Sequence, residues 1–308
     1  MTSRIIETPT DKIEGTLLGQ RVAAPKTYSP DILVPVPRVE NRTQYDITGD
    51  EFVGYDTWNM YEVSFLLDNG LPVTAVGKLI YPSNTSYIIE SKSMKLYFNS
   101  FNMHRMGNTV NEARLEFETT VRHDIAKRLG CPLSDVQFTT FMFEDMDAAE
   151  EPVPPDWYTD LFTLVDYESM VFNDYSENPE ILEEFVDTSP LEVYTNNIRS
   201  NCKITHQPDW ATIFIYMQPD PETSKSITKE SLAKYLVSLR DESHFHEEVC
   251  EMVYKRLWEK CKPSSLHVTM LYTRRGGISI CPQRFSHAHL NHTNLTRDDI
   301  LCLKTLHE

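Results

Sequence analysis

The chain has 308 residues, 40% hydrophobic and 24% charged, a composition typical of globular proteins and a length sufficient for two modest domains. Its 46 acidic and 29 basic residues give a formal net charge of −17, opposite in sign to the surface that a nucleic-acid backbone requires, so no direct contact with nucleic acid is expected. The N-terminus has no apolar leader segment and no apolar run approaches the roughly 18 residues of a membrane span, so we expect a cytoplasmic protein that does not contact membranes.

Proline is frequent in the first part of the chain, and we interpret residues 1–50 as an extended N-terminal arm. Apolar and polar side chains then alternate over residues 60–67, which predicts a β-strand. Asp68-Asn69-Gly70 tolerates positive φ and predicts a turn into a second strand over residues 73–79. The chain therefore enters its first folded unit through a long hairpin.

Two helices and a strand are predicted after this hairpin. Residues 90–102 begin one helix, residues 111–129 form a clearer one that ends at Gly130, and residues 136–143 form the strand. The apolar positions of the second helix recur mostly every four residues and are expected to face the core: Leu115, Phe117, Val121, Ile125 and Leu129. We assign residues 51–148 to a first module.

The second half of the chain repeats this order after an acidic, proline-containing linker, residues 149–190. Its predicted elements are a strand pair over residues 202–217, helices over residues 229–240 and 245–261, and a strand over residues 266–272. The segments FETTVRHDIAKRL and FHEEVCEMVYKRL begin 128 residues apart and share Phe, Val and Lys-Arg-Leu at matching positions. We therefore predict an α+β protein with a second module at residues 191–285 and a polar tail at residues 286–308.

The two modules differ where chemistry is expected. The second contains Cys202, Asp209, His246 and Glu247, whereas the first has Glu118-Thr119 opposite the last two and no cysteine in its hairpin. A thiol is a good nucleophile for a polarised carbon, and a nearby buried carboxyl is a suitable proton donor. Taken alone, these residues also fit a buried structural cysteine, a helical histidine and a carboxylate that favours a helix N-terminus.

Six cysteines are present, and none forms a Cys-x-x-Cys pair. Their spacing matches neither a zinc site nor a disulfide framework, so free thiols and no metal are expected. The tail carries a His-x-His-x-x-His run, His287, His289 and His292. A metal site there would lack an evident carboxylate or cysteine partner, and a mobile polar tail is the favoured alternative.

Several runs resemble the signatures of one enzyme family, in that family's order. They are ESKSMKLYFNSFN from Glu90, SNCKITHQPDW around Cys202, FHEE from Phe245 and YTRRGG from Tyr272. The family is QueF, the NADPH-dependent 7-cyano-7-deazaguanine reductases. The upstream runs LLGQ, VPVPR and GYDTWNMYEVSFL resemble its two-module branch, and the likeness covers roughly residues 15–105 and 190–285.

The resemblance implies a tunnelling fold (T-fold), in which two tandem modules of antiparallel sheet carry helices on one side and assemble, most simply as a homodimer. It implies that the nitrile of a small deazapurine base is reduced to a primary amine by two NADPH molecules, a step of queuosine-type biosynthesis. Cys202 would form a covalent thioimide with the nitrile carbon, and Asp209 would protonate the nitrile nitrogen. No Gly-x-Gly-x-x-Gly motif indicates a nucleotide site, so NADPH rests on the resemblance alone.

The resemblance also implies two sets of binding residues. The substrate set is Ile89, Glu90, Ser91, His246 and Glu247, with Glu247 accepting hydrogen bonds from the guanine-like edge. The cofactor set is Ser91, Lys92, Arg275 and Gly276. The cationic members of the second set suit phosphate groups, and glycine permits a close backbone approach.

Some residues depart from the family pattern. The run SICPQ stands where a sequence such as DINPW is expected, which places Cys281 and Gln283 there and leaves the packing near the cofactor mouth open, but not the chemistry. His206 lies between Cys202 and Asp209 and is a candidate to tune the thiol.

Three other functions remain open at this point. A same-fold nitrogen transferase acting on the nitrile would lack the ESKSMK-type motif, and a zinc-dependent cyclohydrolase of the same fold would need Cys and His ligands that are missing. The third is a non-catalytic deazapurine-binding protein, against which the complete set of candidate catalytic residues argues.

Overall fold

The structure, a computed structural model, describes residues 15–142 and 157–288. Mixed strands and helices give these ranges an α+β architecture. The strands are β1 (Pro35–Pro37), β2 (Val53–Leu66), β3 (Pro72–Pro82), β4 (Tyr87–Ile89), β5 (Gln137–Phe141), β6 (Thr159–Asp160), β7 (Glu184–Val186), β8 (Leu191–Cys202), β9 (Pro208–Gln218), β10 (Lys225–Ile227), β11 (Ser243–His244), β12 (Ser265–Tyr272) and β13 (Ile278–Phe285). The α-helices are α1 (Val39–Gln44), α2 (Ser91–Asn99), α3 (Val110–Leu129), α4 (Lys229–Ser238) and α5 (His246–Cys261).

One nine-stranded sheet joins the two parts of the described chain, and β1 with β4 and β7 with β10 form two separate pairs. The strand order of the nine-stranded sheet is β11-β8-β9-β12-β13-β2-β3-β5, with β6 also pairing with β8. We call β2, β3, β4, β5, α2 and α3 the first half, and β8, β9, β12, β13, α4 and α5 the second half. The halves join where β13 pairs antiparallel with β2, from Ile278 opposite Met60 to Phe285 opposite Val53.

The two halves repeat the same element order, as the sequence predicts. Each begins with a hairpin, continues with two helices and returns through a strand that pairs with the second hairpin strand, β5 with β3 and β12 with β9. Each hairpin even carries a bulge at the corresponding place, between Met60 and Val63 in β2 and between Thr195 and Ile198 in β8. The similar thirteen-residue segments lie in α3 and in α5 with its N-cap.

The bulges explain two errors in the predicted strands. Because a bulge adds one residue to a strand, Met60 and Val63 are both buried although simple alternation places them on opposite faces. The second hairpin was predicted to begin at Cys202, but β8 begins at Leu191 and Cys202 is its last residue. The pair Asn196-Asn197, which suggests a loop in sequence, lies in the bulge of a continuous strand.

Helix α3 follows its predicted boundaries closely. Thr109 and Glu112 form a capping box at its start, and Gly130 ends it with φ of 67°. Four residues of the predicted stripe are buried, but the prediction for Leu115 is wrong, because that side chain is 66% exposed. Leu115 lies two residues before Phe117, about 200° around the helix from it, and so faces solvent.

The apolar core is divided between the halves, one cluster beneath α2 and α3 and the other beneath α4 and α5. A smaller cluster lies on the opposite face of the sheet and contains Tyr158, Phe214, Leu271 and Cys281. The part of the N-terminal arm that is described packs on the body through β1, which pairs with β4. Among the described residues, no helix combines the length and apolar character needed to cross a bilayer.

Candidate active site

A cavity of about 300 Å³ opens between the halves, where α2 and α5 both begin. The first half contributes the end of β4 and the first turn of α2, and the second half contributes the tip of the β8–β9 hairpin, the start of α5 and the β12–β13 turn. The lining residues are Leu18, Ile88, Ile89, Ser91, Lys92, Lys95, Cys202, Thr205, Gln207, Asp209, His244, Phe245, His246, Glu247, Thr273, Arg275, Gly276, Ile278 and Ile280. Helix N-termini carry partial positive charge, so both helices favour anionic or electron-rich groups here.

Cys202 and Asp209 lie at the tip of one hairpin. Cys202 ends β8, and Asp209 stands in β9 opposite Ser200, two residues before the cysteine, so both side chains project from the same face of the sheet. The turn between the strands is closed by the Cys202 N–H, which donates to the Gln207 carbonyl at 2.8 Å. The Cys202 side chain is 9% exposed and faces the cavity, which leaves the thiol reachable by a small molecule but shielded from bulk water.

Asp209 is held between two basic side chains. One carboxylate oxygen accepts a hydrogen bond from Arg275, and the other lies 3.3 Å from Nε2 of His246. The His246 ring stacks on Tyr272 with centroids 3.7 Å apart and planes 3° from parallel. This stacking fixes the imidazole beside the carboxylate, so that Asp209 and His246 form one unit on the cavity wall.

Glu247 is a buried carboxyl group in the first turn of α5. Burial, together with the negative charge of Asp56, raises its pKa to about 8. Its Oε1 atom has no hydrogen-bond partner among the described residues. A buried acid with a free oxygen is suited to a ligand that brings hydrogen-bond donors, because such donors replace the lost water.

An ionic cluster lies behind Glu247 and connects several parts of the chain. Arg284 of β13 lies 2.9 Å from both Asp56 of β2 and Glu251 of α5. Arg38 of the N-terminal arm also contacts Asp56, and Arg42 lies 2.8 Å from Glu251. The cluster therefore anchors the first turns of α5 to both halves.

Glu90 is the second buried carboxyl group of the site. It is the N-cap of α2, where its Oε2 accepts a hydrogen bond of 2.5 Å from the Ser93 N–H. Burial raises the pKa of Glu90, and its Oε1 has no hydrogen-bond partner among the described residues. Two carboxyl groups, one from each half, thus offer unpaired oxygens at this site.

The cationic residues lie at the cavity mouth. Lys92 donates to the Gln20 carbonyl, and Lys95 donates to the Gly276 carbonyl at 2.6 Å. Gly276 and Gly277 have φ of 57° and 83°, as the tight turn between β12 and β13 requires, and this turn presents Arg275 beside the cavity. The positive charge of Lys92, Lys95 and Arg275 stands out in a chain whose net charge is −17.

Nearly all the residues predicted for the site line this cavity. Glu90 lies between two lining residues, and the others are lining residues themselves: Ile89, Ser91, Lys92, Cys202, Asp209, His246, Glu247, Arg275 and Gly276. Sequence reasoning missed Leu18, His244 and Thr273 as cavity residues. The LLGQ run was the available signal for Leu18 and the YTRRGG run was the signal for Thr273, whereas nothing in the sequence distinguished His244.

Three residues noted in the sequence lie apart from the cavity. Cys281 and Gln283 do not line it: Cys281 packs in the aromatic cluster on the other face of the sheet, and Gln283 shares that face. The two residues point away because their neighbours Ile280 and Arg284 occupy the helix-facing positions of β13. His206 has its ring 3.1 Å from the Ser243 hydroxyl.

No group of three or more potential metal ligands was found within residues 15–142 and 157–288. Of the histidine run in the tail, His287 is exposed and contacts the Ser264 carbonyl at 3.2 Å. His289 and His292 lie outside the described residues.

Comparison with known proteins identifies two family matches. Residues 24–136 match the family described as nitrile reductase, 7-cyano-7-deazaguanine-reductase N-term, and residues 208–290 match the family described as QueF-like protein. A protein of Coxiella burnetii (strain Dugway 5J108-111) named NADPH-dependent 7-cyano-7-deazaguanine reductase is 35% identical over 274 residues, 88% of this chain and 91% of the relative. One of the same name from Acinetobacter baumannii (strain SDF) is 31% identical over 278 residues, 89% of this chain and 94% of the relative.

A solved structure, that of the archaeosine synthase QueF-Like in the apo form, aligns with 32% of this chain and 95% of its own. The identity is 17% and the TM-score 0.27, too low to carry an argument.

Proposed function

Because the chain belongs to the family of NADPH-dependent 7-cyano-7-deazaguanine reductases, we propose that it reduces the nitrile of 7-cyano-7-deazaguanine to the primary amine, a step of queuosine biosynthesis. The observation that carries the proposal is the convergence of Cys202, Asp209 and Glu247 from the second half with Ser91 from the first half on one cavity. A small-molecule site of this size fits a bicyclic base.

Cys202 acts as the nucleophile. Its sulfur adds to the nitrile carbon, the Asp209 carboxylate takes up the thiol proton and gives it to the nitrile nitrogen, and the product is a thioimide that links the base to the protein. Asp209 is suited to this role because it shares the hairpin tip with the cysteine and is oriented by His246 and Arg275. The stacked ring of Tyr272 holds His246 in place and helps to exclude water from the reacting carbon.

Glu90 and Glu247 recognise the base. A guanine-like edge brings N–H donors, and the two unpaired carboxylate oxygens supply the matching acceptors. The N–H donors favour the ionised form of Glu247, so that its raised pKa falls when the base binds. A base without these donors would leave buried carboxyl groups unpaired and would bind much less tightly.

The residues at the cavity mouth fit NADPH. Lys92 and Arg275 are cationic and partly exposed, as contacts to phosphate groups must be, and the Gly276 backbone permits a close approach. Ser91 is the first residue of α2 and offers a hydroxyl beside them. NADPH supplies hydride when bound, and two equivalents provide the four electrons that a nitrile needs to become an amine.

Membership of the family also suggests how the chain is divided into modules and how it assembles. We propose that the two halves are T-fold modules, with residues 51–148 and 191–285 as the modules, residues 1–50 as an arm, residues 149–190 as a linker and residues 286–308 as a tail. The repeated element order and matched bulges support this division. A homodimer acting in the cytoplasm on the free base is the corresponding assembly, with neither nucleic acid nor membrane as a direct partner.

The decisive experiment is mass spectrometry of the intact chain after incubation with 7-cyano-7-deazaguanine in the absence of NADPH. We expect a mass increase of one base, located on Cys202, that disappears in Cys202→Ala. Cys281→Ala is the matched control, because that cysteine is buried on the other face of the sheet and its removal should leave the adduct intact. NADPH oxidation that depends on the nitrile then separates a reductase from a nitrogen transferase, and an adduct without such oxidation would refute the reductase.

A further inference from the structure

The LLGQ run of the N-terminal arm forms a tight turn at the cavity wall. The Gln20 N–H donates to the Leu17 carbonyl at 3.2 Å, and Gly19 has φ of 73° at the third position, as a type II turn requires. The Gln20 side-chain amide closes the structure on the Thr16 carbonyl at 2.7 Å. Leu18, at the second position of the turn, is partly exposed and lines the cavity.

This turn is attached to the body of the protein by a residue of the proposed site. Lys92, the second residue of α2, donates to the Gln20 carbonyl. Glu90 and Lys92 flank the first residue of α2, so the turn is attached where the base and the cofactor are proposed to meet. A second attachment follows downstream, where the Glu90 N–H donates to Val34 O at 2.9 Å and the Ser93 hydroxyl accepts from the Val34 N–H.

We propose that the turn over residues 17–20 places Leu18 in the substrate pocket and that Leu18 determines specificity by packing against the apolar face of the base. This inference rests on the proposed function and deepens it. An aliphatic side chain beside a planar ring favours binding because apolar surface is buried. A polar side chain there would be buried without a hydrogen-bond partner.

The neighbouring leucine supplies a matched control. Leu17 lies in the same turn and is also partly exposed, but it does not line the cavity. We expect Leu18→Ala to raise the KM for 7-cyano-7-deazaguanine about tenfold with a smaller change in kcat, since a few missing methylene contacts in an apolar pocket have effects of that order. Leu17→Ala should leave both constants close to those of the wild type, and Leu18→Met should restore most of the lost affinity.

Adduct formation without NADPH provides a readout that cofactor binding does not influence. The nitrile concentration that gives half-maximal adduct should rise in Leu18→Ala by the same factor as the KM. If the wild-type chain is active but Leu18→Ala and Leu17→Ala have equal KM values, the role of Leu18 is overturned and the proposed function stands. A wild-type chain that forms no adduct and oxidises no NADPH would overturn the proposed function itself.

Discussion

At the residue scale, the site contains carboxyl groups that have different neighbours. Glu247 is enclosed by protein, and its raised pKa means that the folded chain without a ligand keeps a proton there near neutral pH. Asp209 has different neighbours, since Arg275 and His246 both contact it. Glu247 and Asp209 carry the same functional group on one cavity wall, but one is enclosed by protein and the other is contacted by basic side chains.

The raised pKa of Glu247 makes the stability of the fold depend on pH. The folded chain retains the Glu247 proton up to about pH 8, whereas an unfolded chain loses it near the ordinary value of 4.5, so Glu247 lowers stability progressively between those pH values. Glu247→Gln should remove this loss and should be more stable than the wild type at pH 8 by a few kcal/mol, with little difference at pH 4.5. Urea unfolding of both proteins at the two pH values measures this difference in the free energy of unfolding. A gap between the two proteins that does not widen with pH would contradict the assignment.

Adjacent arginines allow the cofactor contact to be tested. Arg275 lines the cavity and contacts Asp209, whereas Arg274 lies 4.4 Å from the Tyr61 ring and does not line the cavity. Arg275→Gln should raise the KM for NADPH about tenfold or more, because a charged hydrogen bond to phosphate is lost. Arg274→Gln should change it less than threefold, as expected for a residue outside the cavity. Similar effects of the two substitutions on steady-state kinetics would argue against a specific role for Arg275.

The residues of this site differ in how far the sequence could predict them. Cys202, Asp209, His246 and Glu247 stand out because their chemistry departs from the matching positions of the first half. His244 does not, because it reaches the cavity only through the parallel pairing of β11 with the end of β8. Such contacts between distant segments depend on the folded sheet and leave no local pattern.

At the element scale, the β12–β13 turn links backbone geometry to binding. Gly277 has φ of 83°, and a Cβ there would lie 2.5 Å from the Glu62 side chain. Glu62 pairs with Lys95 at 3.3 Å, and Lys95 holds the Gly276 carbonyl, so displacement of Glu62 would disturb the whole turn.

Gly277→Ala should therefore lower both stability and NADPH affinity. Gly130 provides the control, because its φ of 67° is also positive but a Cβ there meets nothing within 4 Å. Both alanine variants should lose about 1–2 kcal/mol from the positive φ, but only Gly277→Ala should also raise the KM for NADPH. Thermal unfolding and steady-state kinetics provide the two measurements. An unchanged KM in Gly277→Ala would show that the turn does not position the cofactor residues.

Elements with strong local signals were predicted well, and those shaped by pairing were not. Helix α3 has a capping box, a repeated apolar stripe and a terminal glycine, so its boundaries follow from local physics. Strand β8 passes through Asn196-Asn197, which propensity alone would place in a loop. Pairing along β9 overrides that preference, and the bulge accommodates the extra residue.

At the scale of the whole molecule, the proposed chemistry depends on the seam between the halves. The nucleophile comes from the second half and Glu90 from the first, and the β2–β13 pairing sets the distance between them. The ionic cluster of Asp56, Glu251 and Arg284 crosses the same seam, and all three side chains are nearly fully buried. Buried ionic groups are costly when a partner is lost, so the cluster favours one relative position of the halves.

Glycine at the seam offers a direct test of this dependence. A Cβ on Gly54 of β2 would lie 2.0 Å from the Gln283 carbonyl oxygen of β13, a backbone atom that can yield only if the strands part. Gly77 of β3 is also crowded, since its Cβ would lie 2.8 Å from the Phe138 ring, but that contact lies wholly within the first half. Both alanine variants should lose stability by about 1–3 kcal/mol or more.

Only Gly54→Ala should also separate the two parts of the site. Assayed at a temperature where each variant is still folded, Gly54→Ala should bind 7-cyano-7-deazaguanine at least tenfold more weakly than Gly77→Ala, because parting of β2 and β13 moves Glu90 away from Cys202 and Glu247. Equilibrium binding and far-UV circular dichroism on the same samples provide the comparison. Equal affinity in the two folded variants would mean that the cavity tolerates movement at the seam, and that each half forms its share of the base pocket independently of the other.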